Sequence, residues 1–188
     1  MTHQSNTTSE SVWKSTLQDF LSNKHKNEQH SVTIELEKDH LPELGAALAH
    51  CLPAGTWLSL EGDLGAGKTA LVAAIGTAAS AAVALTSPTF SIIHSVELTP
   101  PHEVDFQKIV HLDLYRLKHG KELCYLGLES EFTLNSIVFL EWASNVEEED
   151  WQLFFETTGC LVPQIWLHVE IERSNEALSR RYVFSRKF

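Results

Sequence analysis

The chain has 188 residues, enough for one domain with its own core and short of what two usually need. Hydrophobic residues make up 43% and charged residues 21%, ordinary values for a globular fold. With 14 Lys and Arg against 25 Asp and Glu the formal net charge is −11, which argues against a surface that grips bare nucleic acid or anionic membrane, since both call for basic faces.

The opening, MTHQSNTTSES, lacks the basic-then-apolar order of a secretory leader, and no run approaches the roughly 18 apolar residues of a membrane span. A cytoplasmic protein with no membrane partner is expected. Residues 1–30 read as a polar extension. Within it Trp13, Leu17, Phe20 and Leu21 fall on one face of a short amphipathic helix near 10–22, either packing on the domain or reaching for a partner, with a polar linker after it. Residues 31–188 read as a single domain. SVTIELE alternates as a half-buried strand. DHLPELGAALAHCL is a helix with Asp39 at its N-cap.

TWLSLE is a strand running into a glycine-rich turn, and an alanine-rich helix follows. Further strands are predicted near 89–97, in KIVHLDLYRL and in SIVFLEW, whose continuous apolar run suits the middle of a sheet. GKELCYLGLESEF reads as helical with a break near Gly127, and EEEDWQLFF as a short acidic helix or turn. QIWLHVEIE and RRYVFSRKF alternate as terminal antiparallel strands.

The strongest motif is Gly62-Asp63-Leu64-Gly65-Ala66-Gly67-Lys68-Thr69, a full match to G-x-x-x-x-G-K-[ST] in the strand–loop–helix context it requires. Glycines let such a loop wrap so that backbone N–H groups from Asp63 to Ala70 face phosphate oxygens. The helix begun at Lys68 adds its positive end. The Lys68 ammonium reaches for the β and γ phosphates, and the Thr69 hydroxyl suits Mg²⁺, which prefers hard oxygen ligands.

Magnesium needs a second anchor, and two acids end apolar strands: Asp113 after KIVHL and Glu141 after IVFL. Asp113 is placed near the metal. Glu141 is a further metal candidate, or free to orient water or sense the γ phosphate. No Asn-Lys-x-Asp segment follows the loop, so ATP is favoured over GTP. Arg116 is the only arginine between 70 and 170, which counts against the arginine-rich lid of a small-molecule kinase.

In order along the chain stand GDLGAGKT, Ser87-Pro88-Thr89-Phe90, His111-Leu112-Asp113-Leu114-Tyr115-Arg116, Leu126-Gly127-Leu128-Glu129 and Glu141-Trp142. Together they resemble the TsaE (YjeE) family of bacterial tRNA threonylcarbamoyladenosine synthesis over roughly residues 32–172. The resemblance implies a P-loop NTPase-like three-layer α/β sandwich with a mixed central sheet. It implies that Lys68 and Thr69 bind ATP and Mg²⁺, that Thr89 is a switch residue near the γ phosphate, and that Asp113 is the Walker B acid. Glu141 would support hydrolysis and Trp142 would lie beside the nucleotide. The implied partner is a TsaD–TsaB complex, whose repeated turnover ATP hydrolysis permits, with tRNA met only through that complex. The chain departs from the compact family core in its first 30 residues and in the connection ELTPPHEVDFQK.

Weaker features carry plainer readings. Cys51, Cys124 and Cys160 are odd in number and far apart, as for free thiols. The ten histidines form no ligand cluster by spacing. Glu147 to Asp150 suit a solvated turn or helix start, and Arg180, Arg181, Arg186 and Lys187 suit edge protection or a tRNA-side contact. Two alternatives to a partner-linked ATPase stay open: an autonomous small-molecule kinase or phosphotransferase, and a nucleotide-binding module without turnover.

Overall fold

The computed structural model describes residues 6–22, 31–88, 91–174 and 178–187. Seven strands form one sheet: β1 (Ser31–Glu37), β2 (Thr56–Glu61), β3 (Ile93–Glu97), β4 (Lys108–Asp113), β5 (Ser136–Glu141), β6 (Ile165–Arg173) and β7 (Ser179–Arg186). Their spatial order is β1-β7-β6-β2-β5-β4-β3. The four central strands, β6, β2, β5 and β4, run parallel, while β3, β7 and β1 pair antiparallel at the margins. The expected mixed sheet with antiparallel terminal strands is present.

The pleat divides each central strand between two cores, since alternate side chains leave opposite faces. Leu58, Leu60, Ile137, Phe139, Leu167 and Val169 join one cluster, covered by α1 (Asn6–Ser22), α2 (Leu41–Cys51) and α3 (Lys68–Ala78). Trp57, Val110, Leu112, Val138, Leu140 and Trp166 join the other, under α4 (Glu148–Thr158) and the 3₁₀ turns at 120–125 and 128–130. This makes three layers. Strand β5 is buried along its whole length, as its unbroken apolar run requires, whereas β1 alternates buried and exposed.

The amphipathic helix at the N-terminus is longer than its apolar face suggested, and it packs on the body. Leu17, Phe20 and Leu21 are buried in the same cluster as β1 and α2, with Trp13 half-buried beside them. Arg186 of β7 donates to the carbonyls of Phe20 and Leu21 at 3.0 and 3.4 Å, so the last turn of α1 is capped from the sheet. The linker expected after the helix lies outside the described residues.

Three local expectations are corrected. Asp39 does not cap α2: residues 38–40 form a 3₁₀ turn, His40 occupies the cap position without a side-chain bond, and Pro42 sits in the first turn, where its missing N–H is harmless. The segment 120–132 forms two 3₁₀ turns, at 120–125 and 128–130, rather than α-helix; the break expected near Gly127 is present, that glycine lying in the left-handed region. The strand KIVHLDLYRL stops at Asp113, whose carboxylate accepts from the Tyr115 amide and turns the chain into a 3₁₀ turn over Leu114–Arg116. The acidic run does open a helix: Glu148, Glu149 and Asp150 fill the first turn of α4, where negative charge offsets the positive helix end.

Candidate nucleotide-binding site

The loop between β2 and α3 holds the site at the carboxyl edge of the parallel strands, where open α/β sheets bind ligands. Two glycines are obligatory for different reasons. Gly62 has φ 137°, and a Cβ there would lie 2.3 Å from the Ile171 carbonyl oxygen; Gly67 has open space around it but caps α3 at φ 118°. The N–H groups of Leu64, Gly65, Gly67, Lys68, Thr69 and Ala70 find no acceptor among the described residues. Lys68, Thr69 and Ala70 form the first turn of α3, the first helical bond being Leu71 N–H to Gly67. The Ala66 amide differs, bonding the Asp63 carbonyl at 3.0 Å and closing the turn. Such a nest of donors at a helix N-terminus attracts a polyanion.

Lys68 is buried. Its Nζ donates to the Gly62 and Asp63 carbonyls at 2.6 and 3.2 Å and lies 4.0 Å from the centre of the Trp142 ring. Burial pulls its pKa below the ordinary lysine value; the negative charges of Glu141, Glu61, Asp113 and Asp63 oppose that pull. Among the described residues the ammonium is thus held by two neutral carbonyls and a ring face, with no carboxylate at ion-pair distance.

The two acids predicted from strand ends stand side by side, Asp113 and Glu141 being register partners of β4 and β5. Their contacts differ. Glu141 Oε1 accepts from the Thr69 hydroxyl at 2.6 Å and lies 2.8 Å from His111 Nε2. Asp113 accepts from Ser87 at 3.3 Å and from the Tyr115 amide at 3.1 Å. It is therefore Glu141, rather than Asp113, that meets the Thr69 hydroxyl. His111 is fully buried and has no partner for Nδ1 among the described residues. One ring nitrogen thus fixes the carboxylate. The sequence reading placed no role on His111, although its position two residues before Asp113 puts it on the same sheet face.

Trp142 adopts φ 59°, a left-handed conformation costly for a large side chain. Its amide still bonds the Leu60 carbonyl at 3.3 Å, and its ring meets Tyr115 at 5.2 Å. Beside this pair a shallow hollow of about 800 Å³ is lined by Tyr115, Arg116, Leu117, Lys118 and Asn145. Glu61 accepts from both the amide and the hydroxyl of Ser144, at 2.8 and 3.1 Å, and so anchors the turn that follows Trp142. Thr89, the expected switch residue, lies outside the described residues.

A family model described as "Threonylcarbamoyl adenosine biosynthesis protein TsaE" matches residues 35–182. The chain belongs to the TsaE family. Among relatives named tRNA threonylcarbamoyladenosine biosynthesis protein TsaE, that of Streptomyces coelicolor is 39% identical over 108 residues, covering 57% of this chain and 70% of the relative. The Synechocystis protein is 41% identical over 119 residues, covering 57% and 71%, and the Nostoc protein 37% identical over 115 residues, covering 58% and 66%. In the fold, 85% of the chain superposes on 88% of the crystal structure of Bacillus subtilis YdiB, with a TM-score of 0.53 at 23% identity. TsaE membership places the chain in tRNA threonylcarbamoyladenosine biosynthesis. Helix α1 precedes the segment that the family model matches. Among the described residues no helix is long and apolar enough to cross a membrane.

Proposed function

We propose that this TsaE protein binds and hydrolyses ATP with Mg²⁺ at residues 62–69, and that hydrolysis serves a TsaD–TsaB complex by permitting repeated rounds of tRNA modification. The observation that carries the reading is the meeting of a donor nest, a buried lysine and a carboxylate-bound threonine hydroxyl at one helix N-terminus. The amides of Leu64, Gly65, Gly67, Lys68, Thr69 and Ala70 bind phosphate oxygens, while Asp63 and Ala66 shape the turn. Lys68 exchanges its carbonyl partners for β and γ oxygens, a stronger charge-assisted bond.

The donor set fits magnesium: Thr69, Glu141 and Asp113 offer hard oxygens, and Mg²⁺ is commonly held by one or two carboxylates together with substrate phosphates. When bound, the ion would neutralise charge developing on the phosphates. Glu141, oriented by His111, holds the attacking water or the ion, and Trp142 flanks the nucleotide. Residues 31–188 act as the ATPase unit, with residues 1–30 as an extension, in the cytoplasm and without direct contact to tRNA. The net charge of −11 agrees with a protein that meets a protein complex.

Phosphate release is measured with the chain alone and with TsaB and TsaD added. Low release that rises with both partners is expected. Transfer of the γ phosphate to a metabolite would instead make the chain a kinase, and binding without turnover in either setting would leave it a nucleotide-sensing module.

A further inference from the structure

The hairpin of β6 and β7 touches the phosphate loop at three places. Gly62 lies against the carbonyl of Ile171. Arg173 Nη2 donates to the Leu64 carbonyl at 3.3 Å, and Arg180 Nε donates to the Ala66 carbonyl at 3.0 Å. Arg180 is buried, and no carboxylate lies within ion-pair distance of it among the described residues; its other bond runs to the Ser179 carbonyl at 2.9 Å. A buried guanidinium is costly unless charge or hydrogen bonds compensate it. Here backbone oxygens do so, and two of the arginine contacts fall on alternate carbonyls of the loop.

In a trans peptide the carbonyl of one residue and the N–H of the next lie in one plane and point in opposite directions. Holding the Leu64 carbonyl on Arg173 therefore turns the Gly65 N–H away from the hairpin, and holding the Ala66 carbonyl on Arg180 does the same for the Gly67 N–H. Both amides are among those without an internal acceptor. We infer that Arg173 and Arg180 are positioning residues for the phosphate site, fixing the peptide planes that aim the Gly65 and Gly67 amides at a polyphosphate and adding two positive charges behind the loop. The inference rests on the nucleotide-binding reading above and extends the site to the C-terminal hairpin.

The test measures calorimetric affinity for inorganic pyrophosphate and for ADP in the full chain and in Arg180→Met, Arg180→Lys and Arg173→Gln, alongside thermal midpoints. Expected is about tenfold weaker binding of both ligands in Arg180→Met and Arg173→Gln, at temperatures where each variant is fully folded. Arg180→Lys should recover part of the loss by keeping a cationic donor. A merely structural arginine would lower the midpoint and leave the affinity of the folded protein alone. Binding within twofold of the parent in both folded variants overturns the inference. If Arg180→Met does not fold, Arg173→Gln decides, since Arg173 is exposed. A parent chain that binds neither ligand would overturn the nucleotide reading and this inference together.

Discussion

The Thr69 hydroxyl and the Glu141 carboxylate lie 2.6 Å apart and join the first turn of α3 to the end of β5 across 72 residues of sequence. Glu141 is engaged at one oxygen by Thr69 and His111 together. On the proposed reading, both the hydroxyl and the carboxylate would be available to a hard cation. Loop, helix and two strand ends therefore converge on one point, with Lys68 and Trp142 closing the same side.

Glu141→Ala is expected to keep ATP binding and to slow hydrolysis about a hundredfold or more, because its assigned work is in the chemical step. Equilibrium binding and single-turnover phosphate release separate the two quantities. Loss of binding with normal turnover at saturation would show the role to be wrong.

Lys68→Ala is expected to weaken ATP binding by at least about tenfold while the fold survives. Charged hydrogen bonds contribute about 1.5–3 kcal/mol, and the lysine's present partners are two carbonyls and a ring face rather than the core. Titration calorimetry with a circular dichroism control reads both. Unchanged affinity in a folded variant would contradict the assignment of its charge to phosphate.

Much of this site was legible in the sequence because its parts are local. A strand, a glycine turn and a helix start occupy residues 56–78 without interruption, and the acids Asp113 and Glu141 follow apolar runs directly. What could not be read is what depends on strand order. The contacts of Arg173 with Leu64 and of Arg180 with Ala66 span 109 and 114 residues, and the pairing of β6 with β2 brings them together. Edge protection does not apply to the basic residues of β7, because that strand lies between β1 and β6 rather than at an edge, and Arg180 is buried. A helix boundary is misread where a short-range competitor wins: the 3₁₀ turn at 38–40 displaces Asp39 from the cap. The break near Gly127 is legible, because a glycine accepts the left-handed conformation that ends the 3₁₀ turn at 120–125.

Acid should weaken the fold partly through Glu131. The hydrogen bond from Lys108 is the largest cause holding its carboxyl below the ordinary glutamate value. A lowered folded-state pKa means the contribution is fully present above the unfolded value, about 4.3, and is lost as pH falls through the folded value. Urea melts of the parent and Glu131→Gln should differ by about 0.5–1 kcal/mol at pH 7 and converge in strong acid. A gap that widens on acidification would reverse the sign and refute the assignment.

Cys160 should be a poor thiol nucleophile in the native chain. It is buried, and burial pushes its pKa up to about 11. Only about one molecule in a thousand then carries the thiolate at pH 8. Alkylation followed by mass spectrometry should label Cys160 slowly before unfolding and readily in denaturant. Prompt native labelling of Cys160 would mean that its site opens easily.

Leu17 tests whether α1, which precedes the family segment, shares the core. It is fully buried against the sheet-side cluster. Removing its side chain should therefore leave a cavity rather than an unnoticed surface change. Leu17→Ala is expected to cost about 2–5 kcal/mol, lowering the thermal midpoint by roughly 4–20 °C in a chain of this size. Val12, on the same helix but 59% exposed, supplies the control, and Val12→Ala should change stability by less than about 0.5 kcal/mol. Calorimetric melts of both variants decide the matter. Equal, small effects would mean that α1 lies loosely on the body and that the capping bonds from Arg186 do not hold it there.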